Sequence, residues 1–160
     1  MNFDQAFQSL IGHEGGYLSA DAARRQGDPG GETKYGISKA AYPGEDIANM
    51  TLERAKQIYK RDYWGPAGCD AVPDAIKFDL FDMAVNSGVK PAIRALQTAV
   101  KEVEDGILGP RTLQALQSVP PDRLRLRFSA ARRMLWAGLR TWPTFGRGWT
   151  IRQAKNDLQD

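Results

Sequence analysis

Glu14 is the residue whose position in the sequence best suits acid catalysis. Apolar residues before it recur with the spacing of one helical face: Phe3, Phe7, Leu10 and Ile11. Because Glu14 follows Leu10 by four residues, we expect its carboxyl group on the apolar side of this helix, in the last turn before Gly15. Apolar neighbours and the negative end of a helix both favour a protonated carboxyl group. Glu14 is therefore a candidate general acid; the alternative is an acid at a helix end whose side chain lies in water.

Five blocks of the sequence carry a family resemblance. They comprise residues 14–17, 28–38, 63–64, 81–88 and 141–149. In this order the blocks resemble the glycoside hydrolase 108 family, N-acetylmuramidases of phages and prophages that include proteins called secretion activators. The resemblance extends over nearly the whole chain. It implies that Glu14, the glutamate of the Glu-Gly-Gly-Tyr block, is the essential catalytic residue.

The resemblance also implies a reaction that usually needs a second carboxyl group. In glycoside hydrolysis one group protonates the leaving oxygen and the other activates water or attacks the sugar. We predict Asp28 for this role, because it precedes a Pro-Gly-Gly turn within a matching block; Asp21 and Glu32 are the other acids of the segment. Asp28 could instead bond within its own turn. By its resemblance to the Glu/Asp/Thr arrangement of phage-type lysozymes, Thr33 is predicted to position the attacking water.

Four further residues are predicted to contact the sugar chain: Tyr17, Tyr35, Asn86 and Trp142. Trp142 belongs to a stretch with Gly and Pro that is predicted to be a loop, and its aromatic rings suit stacking on sugars or sealing of the core. Asn86 shares a polar stripe with Asp79 and Asp82 on a helix that is otherwise apolar. A buried polar stripe needs partners or a water-filled cleft. We expect internal hydrogen bonds for the two aspartates and a cleft position for Asn86.

The hydrophobic pattern predicts a mainly α, lysozyme-like fold of two lobes with at most one small β-hairpin, near residues 34–37. Helices are expected over residues 2–14, 51–64, 75–87, 91–103, 110–116 and 123–140, with a last one ending near 158. Residues 1–87 are assigned to a catalytic lobe. Residues 88–160 are assigned to a helical lobe that resembles peptidoglycan-binding repeats, packed with the first as one compact unit. The alternative is that this second lobe only completes the fold.

The composition argues against membrane proteins and metalloproteins. The chain has 160 residues, 42% of them hydrophobic and 26% charged, which is ordinary for a globular protein. Since it has neither a long apolar run nor a recognisable signal peptide, we expect synthesis in the bacterial host cytoplasm and action on the cell wall or in the periplasm after release. A single His and a single Cys do not provide the cluster of ligands that a His/Cys metal site requires, and we expect no cofactor.

The charge is distributed unevenly along the chain. Residues 1–118 hold 13 Lys and Arg against 16 Asp and Glu, whereas residues 119–160 hold 9 against 3. The predicted helix over 123–140 has Arg125, Arg132, Arg133 and Arg140 on its polar side. It could bind anionic wall polymers or membrane, or cap the core with its arginines in solvent. Nucleic-acid binding is not expected, because no DNA-binding motif accompanies these charges. We expect a monomer.

Together with the resemblance, these features predict a peptidoglycan hydrolase that cleaves the β-1,4 bond between N-acetylmuramic acid and N-acetylglucosamine. Its partner is the glycan strand, and its biological role is that of a bacteriolytic, antimicrobial endolysin in host cell lysis. Two alternatives remain. One is a lytic transglycosylase, which can dispense with the second carboxylate. The other is a non-catalytic wall-binding or secretion-assisting protein, in which Glu14 only completes the fold.

Overall fold

The computed structural model describes residues 1–11, 16–26 and 31–158. Within these ranges the chain is mainly helical with one small β-hairpin, as the sequence predicts. The elements in chain order are α1 (Phe3–Ile11), α2 (Ala20–Gln26), β1 (Thr33–Lys34), β2 (Ile37–Ser38), α3 (Leu52–Tyr59), a π-helical turn (Lys60–Trp64), a 3₁₀ turn (Cys69–Ala71), α4 (Asp74–Ser87), α5 (Val89–Val100), α6 (Pro110–Gln117), α7 (Pro121–Ala137) and α8 (Trp142–Asp157). None of these helices combines the length and the hydropathy that crossing a lipid bilayer requires.

The chain divides into two compact units, Asn2–Asp62 and Tyr63–Asp160, with Met1 belonging to the latter. We call them the N-terminal and the C-terminal unit. The sequence places the end of the catalytic lobe later, after residue 87. Since α4 packs against α5 and α7, it belongs structurally to the C-terminal unit. The functional assignment of residues 1–87 and 88–160 stays a prediction.

The N-terminal unit begins with a reciprocally capped helix. The backbone N–H of Asn2 donates to Oε1 of Gln5 at 2.9 Å, and the N–H of Gln5 donates to Oδ1 of Asn2 at 3.0 Å. This capping box satisfies two donors at the start of α1. Phe3 and Phe7 are buried, and the Phe7 ring meets Tyr59 of α3 edge-on at 5.6 Å. The apolar face predicted for α1 therefore packs on α3.

The predicted hairpin is confirmed. Strands β1 and β2 are antiparallel, with Thr33 opposite Ser38 and Lys34 opposite Ile37. Tyr35 and Gly36 form the two-residue turn with φ of 51° and 75°, the positive values that a tight hairpin turn requires. The sequence pattern misses α2, because Ala20–Gln26 is a short polar segment without apolar periodicity.

The C-terminal unit is organised around α4, the buried helix that the sequence predicts. Leu80, Phe81 and Met83 are fully buried, and Phe81 meets Trp64 edge-on at 5.4 Å. Gly88 ends α4 with φ of 92°, and its N–H donates to the carbonyl of Ala84. The next helix, α5, packs back on α4.

Several predicted helix boundaries are wrong; the helix predicted over residues 123–140, for example, is α7 and ends at Ala137. The predicted helix over 91–103 ends at Val100, because Lys101 adopts a left-handed conformation with φ of 62° and the N–H of Glu102 bonds the carbonyl of Gln97. This Schellman motif terminates α5, so Val103 leaves the apolar stripe and is 69% exposed. The last predicted helix begins earlier than expected: α8 starts at Trp142, and the predicted loop around it is helical.

The most consequential error concerns Arg132. The sequence places it on the solvent face of the arginine-rich helix, yet its side chain is fully buried on α7. Its guanidinium group donates to Oδ2 of Asp82 at 2.5 Å, and Oδ1 of Asp82 accepts from Nε of Arg152 at 2.7 Å. Asn156 donates to the same carboxylate at 3.0 Å. Internal hydrogen bonding of Asp82 is confirmed, and its partners come from α7 and α8.

Candidate active site

Glu14 and Asp28, the two predicted catalytic carboxyl groups, lie outside the described residues. Their roles as general acid and second carboxylate stay predictions, as does the position of Glu14 on the last turn of a helix. The structure describes the segments that follow them, from Gly16 and from Gly31 onwards. The local geometry of the candidate site is therefore built from residues 16–18 and 31–38.

A backbone bridge joins these two segments. The N–H of Leu18 donates to the carbonyl of Thr33 at 2.8 Å, and the N–H of Thr33 donates to the carbonyl of Leu18 at 2.9 Å. Leu18 directly follows the first sequence block, and Thr33 lies in the second. The chain thus adds a third extended segment beside the hairpin, and it holds two blocks that are distant in sequence side by side.

Thr33 lies on β1 with a half-buried side chain. Its hydroxyl group donates to the carbonyl of Gly31 at 3.1 Å. A threonine oxygen keeps acceptor capacity while its hydrogen is donated. With the proton committed to Gly31, Oγ1 is oriented to accept a hydrogen bond from water or substrate.

Tyr17 contacts Glu32 within this three-segment arrangement. The phenol hydroxyl donates to Oε1 of Glu32 in a short hydrogen bond. This bond to a carboxylate raises the pKa of Tyr17 above its ordinary value, since losing the phenol proton would break it and bring two negative charges together. Tyr17 remains 48% exposed, so it can also contact a ligand. Sequence spacing of 15 residues gives no signal for this pairing.

Tyr35 lies in the hairpin turn, and both its backbone and its ring make contacts there. Its carbonyl accepts a hydrogen bond from the hydroxyl of Tyr59 at 3.0 Å, which anchors the turn to α3. The ammonium group of Lys34 lies 5.7 Å from the centroid of the Tyr35 ring, within the range of a cation–π contact. The ring is half-buried.

Asn86 and Trp142 belong to the C-terminal unit. Nδ2 of Asn86 donates to the carbonyl of Asp82 at 2.6 Å and to Oδ1 of Asp82 at 3.3 Å. The side-chain amide thus forms hydrogen bonds within its own helix, although the residue is exposed. The substrate role of Asn86 stays a prediction.

Trp142 lies at the start of α8 and covers Gly146. A Cβ atom on Gly146 would come within 2.6 Å of the indole ring, so only glycine allows this contact. Trp149 connects three other rings: its centroid is 6.4 Å from Trp142, 5.9 Å from Phe145 and 5.7 Å from Trp136. Trp136 is buried, whereas Phe145 is 53% exposed. The cluster therefore runs from the core to the surface, which accommodates both predicted roles of these aromatics.

Among the residues that the structure describes, no three His, Cys, Asp or Glu side chains come together as metal ligands. The one cysteine, Cys69, is buried, and burial raises the pKa of its thiol to about 12. A thiol with so high a pKa is a poor nucleophile at neutral pH. The expectation that no cofactor is needed stays a prediction.

The mainly helical architecture with one small hairpin defines a lysozyme-like class of protein. The chain is similar to a solved structure, that of Brucella abortus SagA, with a TM-score of 0.82 and 32% sequence identity over 96% of this chain and 90% of that one. A family model described as glycosyl hydrolase 108 matches residues 7–88. This chain belongs to the glycosyl hydrolase 108 family. No curated protein matches the sequence.

Family membership confirms the resemblance derived from the five sequence blocks, and the structural similarity confirms the mainly α, lysozyme-like fold. The chain is thus a peptidoglycan-related protein of the glycosyl hydrolase type. Four of the five blocks fall within residues 7–88. The fifth, residues 141–149, lies beyond the family match.

Proposed function

We propose that this protein is a peptidoglycan hydrolase, an N-acetylmuramidase that cleaves the β-1,4 bond between N-acetylmuramic acid and N-acetylglucosamine. The observation that carries this proposal is the family match over residues 7–88, which includes Glu14 in its Glu-Gly-Gly-Tyr block. The apolar spacing before Glu14 supports a carboxyl group that keeps its proton near neutral pH.

In the proposed reaction Glu14 donates its proton to the glycosidic oxygen as the bond from that oxygen to the muramic acid C1 breaks. The resulting positive charge on the sugar ring is stabilised by the second carboxylate, assigned to Asp28, which takes a proton from the water that adds to C1. Thr33 accepts a hydrogen bond from that water, a role supported by the donation of its own hydrogen to Gly31. The product carries a new reducing muramic acid end.

Substrate contacts are proposed for each unit by itself. Tyr17 and Tyr35 flank the segments joined by the bridge between Leu18 and Thr33, which supports a sugar-binding role for this edge of the hairpin. We assign Trp142 to ring stacking on a sugar face, because its aromatic cluster reaches the surface at Phe145. Asn86 is assigned to a polar contact with the glycan.

The wider biological role is proposed on the same basis. The protein acts as a monomeric, bacteriolytic endolysin that is made in the host cytoplasm and reaches the wall after release. The segment 88–160 serves wall binding, and the basic surface of α7 contacts anionic wall polymers or membrane. Arg123 and Arg133 of α7 are exposed, as is Arg140 just beyond its end, and their positive charges support this contact.

A wall-solubilisation assay tests the proposal. Purified peptidoglycan is incubated with wild type, Glu14→Gln and Glu53→Gln, and the loss of turbidity is followed. Glu53 is an exposed residue of α3 and provides a matched control. We expect Glu14→Gln to fold and bind the wall but to lose at least about 100-fold in rate, the usual contribution of a general acid, while Glu53→Gln retains the wild-type rate. A folded wild type that binds the wall without solubilising it would favour the non-catalytic wall-binding protein.

A further inference from the structure

A surface cavity of about 330 Å³ lies in the C-terminal unit between the end of α5 and the start of α6. Its volume is at the lower end of the range for small-ligand sites. The residues that line it are Gln97, Glu102, Val103, Asp105, Ile107, Gly109, Pro110, Arg111 and Thr112. None of the proposed catalytic or sugar-contacting residues is among them.

The floor of this cavity is rigid because a single buried side chain holds it together. Gln97 is 1% exposed. Its Nε2 donates to Oδ1 of Asp105 at 2.7 Å and to the carbonyl of Ile107 at 3.0 Å, and its Oε1 accepts from the N–H of Gly106 at 2.9 Å. Three bonds from one amide fix the loop between α5 and α6. The cavity is thus formed before any ligand binds.

The rim presents apolar groups that the fold leaves uncovered. Val103 is 69% exposed and Ile107 is 66% exposed. The hydrogen bonds of Gln97 fix the backbone of the loop between α5 and α6, while the side chains of Val103 and Ile107 remain exposed to water. Isolated exposed apolar residues are common, but two of them at the edge of one cavity provide a surface for small alkyl groups.

Charges of both signs accompany these apolar groups. The Arg111 side chain is 82% exposed and forms a long ion pair with Glu102, at 3.4 Å. Arg111 lies in the first turn of α6, whose cap Gly109 has no side chain to satisfy the N–H groups of that turn. A carboxylate at this place would receive a charge-assisted bond from the guanidinium group and favourable interaction with the helix end. The carboxylates of Glu102 and Asp105 offer acceptors for an ammonium group.

We propose that this cavity binds the peptide portion of peptidoglycan, a short peptide with alanyl methyl groups, a C-terminal carboxylate and the side-chain amino group of a diamino acid. The methyl groups contact Val103 and Ile107, the C-terminal carboxylate pairs with Arg111, and the side-chain amino group pairs with Glu102. A glycan strand fits less well, because the nine described residues that line the cavity include no aromatic ring for stacking on a sugar. This inference rests on the proposed peptidoglycan substrate and gives residues 88–160 a defined role in wall binding.

The test uses the peptide without sugar, so that binding is measured without hydrolysis. The free acid L-Ala-γ-D-Glu-L-Lys-D-Ala is titrated into the ¹⁵N-labelled full-length protein, and backbone amide shifts are followed. We expect saturable shifts confined to residues 97–112. The affinity should fall about tenfold or more for Arg111→Gln and for the peptide with a C-terminal amide, as expected for loss of a charge-assisted bond. Arg111→Lys should recover part of that affinity.

Arg94→Gln is the matched control, because Arg94 is exposed on α5 and does not line the cavity. The affinity of Arg94→Gln for the free-acid peptide should stay within about twofold of that of wild type. The inference is overturned if the free acid causes no saturable shifts at millimolar concentration, if Arg111→Gln and Arg94→Gln bind equally, or if tetra-N-acetylchitotetraose shifts these residues in place of the peptide. Peptide binding without wall solubilisation would contradict the proposed muramidase activity and support this binding site. Wall solubilisation without peptide binding would support the activity and contradict the binding site.

Discussion

Arg132 on α7 and Asp82 on α4 form an ion pair, Nη2 to Oδ2 2.5 Å, with both side chains shielded from solvent. Arg152 and Asn156 on α8 bond the same carboxylate, so that one aspartate joins three helices. Burial alone would raise the pKa of Asp82, but the two guanidinium groups outweigh it and hold the pKa below its usual value. Asp82 is thus ionised and central to the packing of the C-terminal unit.

Removing Arg132 should destabilise the protein strongly. Arg132→Met leaves part of the charge of Asp82 buried without compensation, and the expected loss in the free energy of unfolding is about 3–5 kcal/mol. Arg133→Met is the control, since Arg133 is half-exposed and its pair with Asp157 lies at the surface; it should cost no more than about 1 kcal/mol. Urea denaturation measures both. Equal losses for the two variants would contradict the central place of the Arg132–Asp82 pair.

Asp79 lies one helical turn before Asp82. Because of its carboxyl group, the free energy of unfolding should fall as the pH rises. Asp79 is 5% exposed, and burial raises its pKa to about 6 in spite of the attraction of Arg125. The folded state therefore holds this proton more tightly than the unfolded state, so stability is lost as the pH rises from about 4 to about 6, by about 3 kcal/mol in all. Asp79→Asn should raise the free energy of unfolding at pH 7 and leave it nearly unchanged at pH 4.

Asp74 provides a control of opposite sign for this pH dependence. Lys77 and the amino group of Met1 bond its carboxylate and lower its pKa to about 2. A carboxyl group with a lowered pKa contributes stability above its unfolded value near 4, and that stability is lost on acidification towards about 2. Asp74→Asn should therefore lower stability at pH 7 and have less effect near pH 2. Denaturation curves of Asp79→Asn and Asp74→Asn, recorded from pH 2 to pH 7, measure both effects. If the two variants did not show opposite trends with pH, the pKa shifts assigned to Asp79 and Asp74 would be refuted.

Gly36 should be intolerant of substitution because of its conformation and its neighbour. Its φ is 75°, and an added Cβ would lie 2.6 Å from the hydroxyl oxygen of Tyr59. We expect Gly36→Ala to cost about 2 kcal/mol and to break the bond from Tyr59 to the hairpin turn. The control Gly44→Ala, where no atom lies within 4 Å of the added group, should change stability by less than about 0.5 kcal/mol. In the Gly36→Ala background, Tyr59→Phe should recover part of the loss, whereas an unrelieved loss would rule out the steric cause.

The contact between Tyr17 and Glu32 predicts a titration that spectroscopy can follow. Glu32→Gln removes the carboxylate that raises the pKa of Tyr17, so this pKa should fall towards the ordinary value for tyrosine. Glu53→Gln, a substitution at an exposed position of α3, should leave the pKa of Tyr17 unchanged. NMR titration of the labelled Tyr17 ring measures the effect. An unaltered pKa in Glu32→Gln would show that the hydrogen bond does not form in solution.

Local patterns in the sequence predict most of the secondary structure. The Tyr35–Gly36 turn and the apolar surface of α4 each depend on neighbours a few residues away, and both are confirmed. The missed helix α2 has no apolar stripe, and Lys101 ends α5 by a left-handed conformation that non-glycine residues adopt rarely.

The interactions that sequence reasoning misses connect residues far apart in the chain. Arg132 has the helical position of a surface arginine, and only the location of Asp82, 50 residues earlier, makes its burial favourable. The same holds for Tyr17 and Glu32, and for the backbone bridge between Leu18 and Thr33. The sequence was sufficient to predict which residues belong to the candidate site, because they lie in the family blocks. It was not sufficient to predict which side chains and backbone groups orient them, because those contacts are tertiary.

The most direct test of the account is the chemistry of the chain ends released from purified peptidoglycan, measured by mass spectrometry for wild type and Glu14→Gln side by side. We predict soluble products with reducing N-acetylmuramic acid ends from wild type and none from a folded Glu14→Gln. Anhydro-muramic acid ends would instead identify a lytic transglycosylase and remove the role assigned to Asp28. Equal release by wild type and Glu14→Gln would contradict the claim that Glu14 is the general acid.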